Sequence, residues 1–246
     1  MTIPIISPTF TPPDCMVEEL RTQGYTVLSP ADLLSFAQCR PAELAALKTA
    51  WDDLPPDNFL KDGGRYRRRR HSSFIVEETT IKQVPHRAHY QPLAYNALHG
   101  GMHRMFEPSK AEAVQLPVWS RLLLAIGGVC SQAKQPQRWF VEAHQFRIDT
   151  TDGIGRPTPE GAHRDGVDFV AILLVERVNV KGGESRIFEF NGPHGKRFSL
   201  SEPWTLLILD DQRVIHESTP IQPTAAGGHR DTLVLTYRAG GFLEAV

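Results

Sequence analysis

The sequence predicts a mainly β protein with flanking α-helices. From Trp139 onward, apolar and β-branched runs of strand length succeed one another: Trp139–Ile148, Phe169–Val175, Ser185–Phe190, Trp204–Leu209, Val214–His216 and Arg230–Arg238. Tight turns such as Gly182-Gly183, Asp210-Asp211-Gln212-Arg213 and Gly227-Gly228 separate several of them, and no helix pattern intervenes. Strands joined in this way favour an antiparallel sandwich or barrel over a parallel sheet. The helical signals lie upstream, where apolar residues recur at spacings of three and four.

In chain order, residues 1–14, rich in Pro, Ser and Thr, read as an irregular arm. Gly24–Leu28 is strand-like. Ser29-Pro30 sets a capping hydroxyl before a proline suited to a first helical turn, which starts a helix over roughly Ala31 to Cys39. Pro41 opens another, with Leu44, Leu47, Trp51 and Leu54 on one stripe, and Pro55-Pro56 ends it. Gly63–His71 is the densest charge run, and Arg67–Phe74, which overlaps it, can form a strand. As a strand it turns alternate arginines, Arg67 and Arg69, inward, where a guanidinium can grip a carboxylate through two parallel hydrogen bonds. Four histidines between Pro85 and Pro108 (His86, His89, His99 and His103) fit no ligand spacing, so the stretch reads as loops over a pocket with exposed histidines. Pro117 begins a third helix, with Val118, Leu122, Ala125 and Val129 on its buried stripe. The expected organisation is a single domain over 1–246, with a helical flank (1–60) packed on a barrel core (60–240).

Composition narrows the function. The chain of 246 residues is 41% hydrophobic and 22% charged, as in an ordinary soluble domain. A net charge of -1 gives no field to attract nucleic acid, which argues against an RNA-binding reading of the arginine run, and none to attract an anionic membrane. The N-terminus has neither the basic stretch nor the apolar core of a signal peptide. The most apolar run, Leu122–Cys130, is too short to span a bilayer. Three widely separated cysteines (Cys15, Cys39 and Cys130) suit reduced thiols in a cytoplasm.

The chemistry concentrates in His163-Arg-Asp165 and a distant His216. Two residues apart on an extended segment, His163 and Asp165 project to one side, and His216 ends another apolar run. Two imidazoles and a carboxylate on one face of a metal, with the opposite face open, form the ligand set of non-haem Fe(II) oxygenases. The mouth of a jelly-roll barrel brings such strand ends together. Beyond His216, Arg230 and Thr232 share a strand face, where they suit the distal carboxylate of a dicarboxylic co-substrate; Arg238 shares that parity. Gln145 and Arg147 share a face of the Trp139–Ile148 strand and are expected to point into the barrel. A cupin-like binding protein or isomerase is the competing class, but its denser histidine cluster is missing around His163.

Three runs carry a family resemblance: His163-Arg-Asp165-Gly-Val-Asp-Phe-Val, Leu206 through Ile221 around His216, and Arg230-Asp-Thr-Leu-Val-Leu-Thr-Tyr237. Together they resemble the core of the Fe(II)/2-oxoglutarate-dependent dioxygenases, in the bacterial branch that contains the L-isoleucine 4-hydroxylase and related free amino-acid hydroxylases. The resemblance, and not composition or periodicity, implies a double-stranded β-helix (jelly-roll, cupin-like) core. It implies iron bound by His163, Asp165 and His216, 2-oxoglutarate held by Arg230, and O2 as co-substrate. It also implies hydroxylation of an aliphatic carbon of a free L-amino acid, with release of succinate and CO2. Related halogenases lack the carboxylate ligand, so Asp165 disfavours halogenation. For the substrate, Gln145, Arg147, Arg67 and Arg69 are the expected contacts.

Overall fold

The structure is a computed structural model and describes residues 6–135 and 137–245; the first five residues of the expected arm lie outside the described residues. The chain enters through short helices. α1 (Met16–Gln23) buries only Met16 and Leu20, too faint a stripe to register in the sequence pattern. It stops at Gly24, whose φ is +79° and where a Cβ would fall 2.8 Å from Val214 Cγ1, so both backbone and space require glycine. β1 (Tyr25–Leu28) leads to α2 (Pro30–Phe36), where the Ser29 hydroxyl accepts the Asp32 amide at 3.1 Å. α3 (Pro41–Lys48) begins with Glu43 reaching back to the Arg40 amide at 2.9 Å, and tightens into a 3-10 turn at Thr49–Trp51.

The arginine run is a strand, β2 (Arg67–Glu77), paired with β3 (Thr80–Gln83). After the histidine-containing loops come α4 (Ala111–Val114) and the long α5 (Pro117–Ala133). The remaining strands are β4 (Trp139–Asp149), β5 (Phe169–Val178), β6 (Val180–Gly182), β7 (Glu184–Glu189), β8 (Gly195–Ser199), β9 (Leu206–Asp210), β10 (Val214–Ser218), β11 (Ile221–Pro223) and β12 (His229–Arg238). Short, exposed β3, β6, β8 and β11 carry too little apolar alternation to be read from sequence.

Seven strands form one antiparallel sheet in the order β1-β9-β5-β12-β4-β2-β3. Opposite it lie β10-β7-β8 and the β11-β6 pair, and together they make the jelly-roll. Strand pleating gives the large sheet two distinct faces. Phe74, Val76, Trp139, Val141, Ala143, Leu233, Leu235 and Tyr237 point outward into the main core, against Trp119, Leu122, Leu123 and Ile126 of α5 and Leu20, Leu33, Leu44 and Leu47 of the flank. The barrel interior holds a second apolar core (Val170, Leu174, Ile187, Phe198, Leu207, Leu209 and Val214) and, continuous with it, a cavity lined by both charged and apolar side chains.

Trp51 ties the helical flank to the cavity wall. It is fully buried, and its indole N–H donates to the carbonyls of Phe146 on β4 (3.1 Å) and Thr232 on β12 (3.3 Å). Replacing Trp51 with Ala is expected to cost about 3–5 kcal/mol of unfolding free energy, measured by urea denaturation, because it opens a large void.

Candidate active site

His163 and His216 are fastened to one another by backbone. Each donates its amide to the other's carbonyl, at 3.0 and 2.9 Å, an isolated antiparallel bridge where the barrel walls meet. The rings therefore lie side by side, with centroids 4.7 Å apart. Both Nε2 atoms aim at the Asp165 carboxylate, at 3.7 Å from His163 and 3.5 Å from His216. Asp165 itself leaves regular structure: Gly166 turns the chain at φ +79°, and a Cβ there would strike the Tyr95 ring at 2.5 Å.

Two residues hold Asp165 in place. The buried Asp211 carboxylate accepts the amides of Asp165, Gly166 and Val167 at 3.0, 2.8 and 3.1 Å. The Gln91 side-chain amide donates to Asp165 Oδ1 at 3.0 Å. His163 Nδ1 donates to the Gly161 carbonyl at 2.9 Å, which leaves Nε2 as the ring atom facing the cluster.

The electrostatics suit a bound cation. Burial disfavours a charged His163, yet the carboxylates of Asp165 and of Glu160, 3.5 Å away, outweigh it and raise its pKa to about 10. Burial and then the His163 charge push His216 down to about 4. Burial works against the ionised Asp165 as well, but the two imidazoles hold its pKa well below the usual carboxylate range. The carboxylates beside His163 thus favour a positive charge at the cluster, and a dication held there would take the place of the His163 proton. The three ligand atoms lie within 4.8 Å of one another, and Asp165 is the most open of the three side chains, 22% exposed against 10% and 9%. Burial and the neighbouring Asp165 charge push Asp211 up to about 7; a cation beside Asp165 offsets the second cause.

The cluster opens into a cavity whose wall includes Arg230 and Thr232 from β12. Arg230 is 4% exposed, its Nε has no hydrogen-bond partner, and no carboxylate among the described residues lies within 4.0 Å of its guanidinium. Burial and the like charge of Arg177 lower its pKa to about 10, so a bound anion would stabilise it. Arg238, of the same parity, sits at the far end of β12 and bonds the Gly241 carbonyl. A model of the family described as 2OG-Fe dioxygenase matches residues 48–236. The chain belongs to the 2OG-Fe dioxygenase family. A crystal structure of a bsmA homolog from Methylobium petroleophilum PM1 is 49% identical and superposes with a TM-score of 0.92 over 100% of both chains. IDO from Bacillus thuringiensis shares the fold at 19% identity and a TM-score of 0.76, over 94% of this chain and 100% of that one. The Fe(II)/(alpha)ketoglutarate-dependent dioxygenase TqaL does so at 17% and 0.71, over 92% and 86%. No curated protein matches the sequence. Dioxygenases of this family use Fe(II), 2-oxoglutarate and O2.

The remaining expected contacts divide by strand register. Arg67 and Arg69 do face the cavity. Gln145 and Arg147 do not, contrary to the sequence expectation. On β4 the residues opposite Arg230, Thr232 and Val234 are Ile148, Phe146 and His144, and cross-strand partners share a face. Gln145 and Arg147 therefore point outward. Gln145 donates to the Ala50 carbonyl at 3.3 Å, and Arg147 forms a two-pronged pair with Asp231 at 2.7 and 2.9 Å.

The same register puts His144 on the cavity wall with His89 and Glu142. His89 and His99 are buried, not exposed. His71, His89, Glu142 and His144 form a second histidine–carboxylate group, with Glu142 3.2 Å from His71 Nε2 and 3.1 Å from His89 Nδ1. It suits a metal less well than the first. His144 Nδ1 is already engaged by Arg69 at 2.6 Å, and Arg87 stands 3.8 Å from Glu142, so cations surround it. Burial keeps its imidazoles neutral, with His89 at about 4. Gln91, Arg104 and Glu142 had no legible signal: they meet the site only through loops and register. Asp211 sat within a turn that looked merely polar.

Asp211→Asn keeps the volume but sets an amide N–H against backbone donors. It is expected to weaken Mn(II) binding about 10–100-fold in calorimetric titration, with the far-ultraviolet spectrum unchanged. Arg147→Met strands the buried Asp231 and is expected to cost on the order of 3 kcal/mol in urea unfolding, while 2-oxoglutarate affinity stays at the wild-type value.

Proposed function

We propose that this dioxygenase is a cytoplasmic enzyme that hydroxylates an aliphatic carbon of a free L-amino acid, working as one domain. Two imidazoles and a carboxylate converging beside a cavity that also contains a buried arginine with no paired carboxylate carry the reading. His163, Asp165 and His216 would hold Fe(II), which when bound supplies dioxygen activation coupled to decarboxylation of 2-oxoglutarate to succinate and CO2. Arg230 grips the C5 carboxylate of 2-oxoglutarate, with the Thr232 hydroxyl beside it. Ile172, Leu207, Leu209 and Val234 line the cavity and exclude water from the reacting carbon.

A free amino acid presents one carboxylate and one ammonium. The cavity offers arginines for the first, and for the second Glu142 and Glu160, whose buried Oε2 has no partner. Three free cysteines support the compartment, and no helix among the described residues is long and apolar enough to cross a membrane.

Purified protein with Fe(II), ascorbate and 2-oxoglutarate is expected to form succinate in air, stimulated by one or a few members of a panel of free L-amino acids. His163→Ala and anaerobic samples are expected to form none. Iron binding without stimulation by any amino acid removes the substrate class, and loss of both iron and 2-oxoglutarate binding removes the oxygenase reading.

A further inference from the structure

Five arginines line the cavity, and they differ in what neutralises them. Arg67 is paired with the buried Asp57 at 2.7 Å, and Arg69 lies 3.8 Å from the same carboxylate. Arg69 is also clamped between the rings of Phe106 and Phe146, 3.7 and 4.4 Å from its guanidinium carbon. Arg186, near the rim, pairs with Glu184 and Glu217. The other two, Arg230 and Arg104, have no carboxylate within 4.0 Å among the described residues.

Arg104 is 2% exposed, on a loop fastened by mutual backbone hydrogen bonds with His89. Among the described residues its side chain makes one hydrogen bond, a long one of 3.5 Å to Gln91 Oε1, and its Nε has no partner. A buried guanidinium in this state is strongly disfavoured unless an anion joins it. Burial and the like charge of Arg67 draw its pKa down to about 10, against the opposing pull of Asp57, Glu160 and Glu142, which lie beyond pairing distance.

With Arg230 assigned to 2-oxoglutarate, one of the two unpaired guanidiniums has its anion. We infer that the other, Arg104, anchors a carboxylate group of the substrate, so that the site takes an organic acid and rejects the corresponding neutral amide. This rests on the proposed assignment of Arg230 to the co-substrate. The residues expected from sequence to hold that carboxylate, Arg67 and Arg69, act instead as the wall that fixes its direction, since both already stand within 4.0 Å of the Asp57 carboxylate. Buried Arg67 Nη2 and Arg69 Nε, both without partners, supply further donors there. Gln91 joins this anchor to the proposed metal ligand: its Oε1 faces Arg104 while its Nε2 donates to Asp165.

The test is calorimetry on the full chain loaded with Mn(II) and 2-oxoglutarate under nitrogen. The probes are the twenty common L-amino acids, their carboxamides and their deaminated acids. Wild type is expected to bind at least one acid at least 30-fold more tightly than its amide. Arg104→Gln is expected to bind 2-oxoglutarate as wild type does, which also reports an intact fold, but to lose that discrimination. Arg104→Lys is expected to retain part of it, and Arg230→Gln to lose 2-oxoglutarate instead. Acid and amide binding alike to wild type, no acid binding at all, or Arg104→Gln losing 2-oxoglutarate while Arg230→Gln keeps it, each overturns the inference. If a deaminated acid binds as tightly as its amino acid, and only when Arg104 is present, the anchor stands and the amino-acid reading fails. If an amino acid binds Arg104→Gln as well as wild type, the anchor fails and the amino-acid reading survives.

Discussion

The antiparallel register between β12 and β4 is the constraint on which the inner face depends. Opposed residues point to one side, so turning Arg230 into the cavity carries Ile148 with it, Thr232 carries Phe146, and Val234 carries His144. The β4–β2 register continues the transfer: Ile148 lies opposite Arg67, Phe146 opposite Arg69, and His144 opposite His71. Three strands thus deliver their polar inner residues as a block. The opposite parity goes outward, charged near the open end (Arg147 with Asp231, Arg68 with Asp149) and apolar beneath α5. A slip of one residue would drive arginines into the main core, so burial of that core enforces the register.

The metal-competent cluster is built differently, at the place where regular pairing gives way. His216 ends on a strand, but its partner His163 holds only a single bridge, and Asp165 follows in a turn. Such a segment would wander without help. Asp211 gathers three consecutive amides of this turn, and Gln91 reaches Asp165 from the opposite loop. Positioning at the site therefore comes from carboxylate and carboxamide hydrogen bonds, whereas the cavity wall is positioned by sheet geometry.

That contrast explains what could be read from the sequence. Long strands with strong apolar content, such as Trp139–Asp149 and His229–Arg238, announce themselves, as do helices with a capping residue and a proline at the start. The His163, Asp165 and His216 group was legible because its residue types are distinctive and its neighbours match a known pattern. Gln145 and Arg147 show the limit. Their shared face follows from alternation, but which face is inward depends on pairing with β12, and that is a long-range fact. Arg104, Gln91 and Glu142 lie further out of reach, since their meaning comes from which charges end up beside them after folding.

The charge of the inner wall follows from those placements. Arg67, Arg69 and Arg104 stand against Asp57 and Glu142, while Arg87, at the edge, is shared between Glu142 and Glu244. His71, His89 and His144 could have added three more charges, but burial and the guanidiniums keep them neutral, so His71 and His89 hydrogen-bond Glu142 while His144 accepts from Arg69. Burial alone would raise the Glu142 pKa, yet His89 and His71 hold it below the usual carboxylate range. Among these named side chains the arginines outnumber the carboxylates by one. An anion that enters meets a field already set in a water-poor environment, where pairing is stronger than at the surface. A buried guanidinium without a paired carboxylate is costly to the fold, and an anion bound beside it would offset that cost.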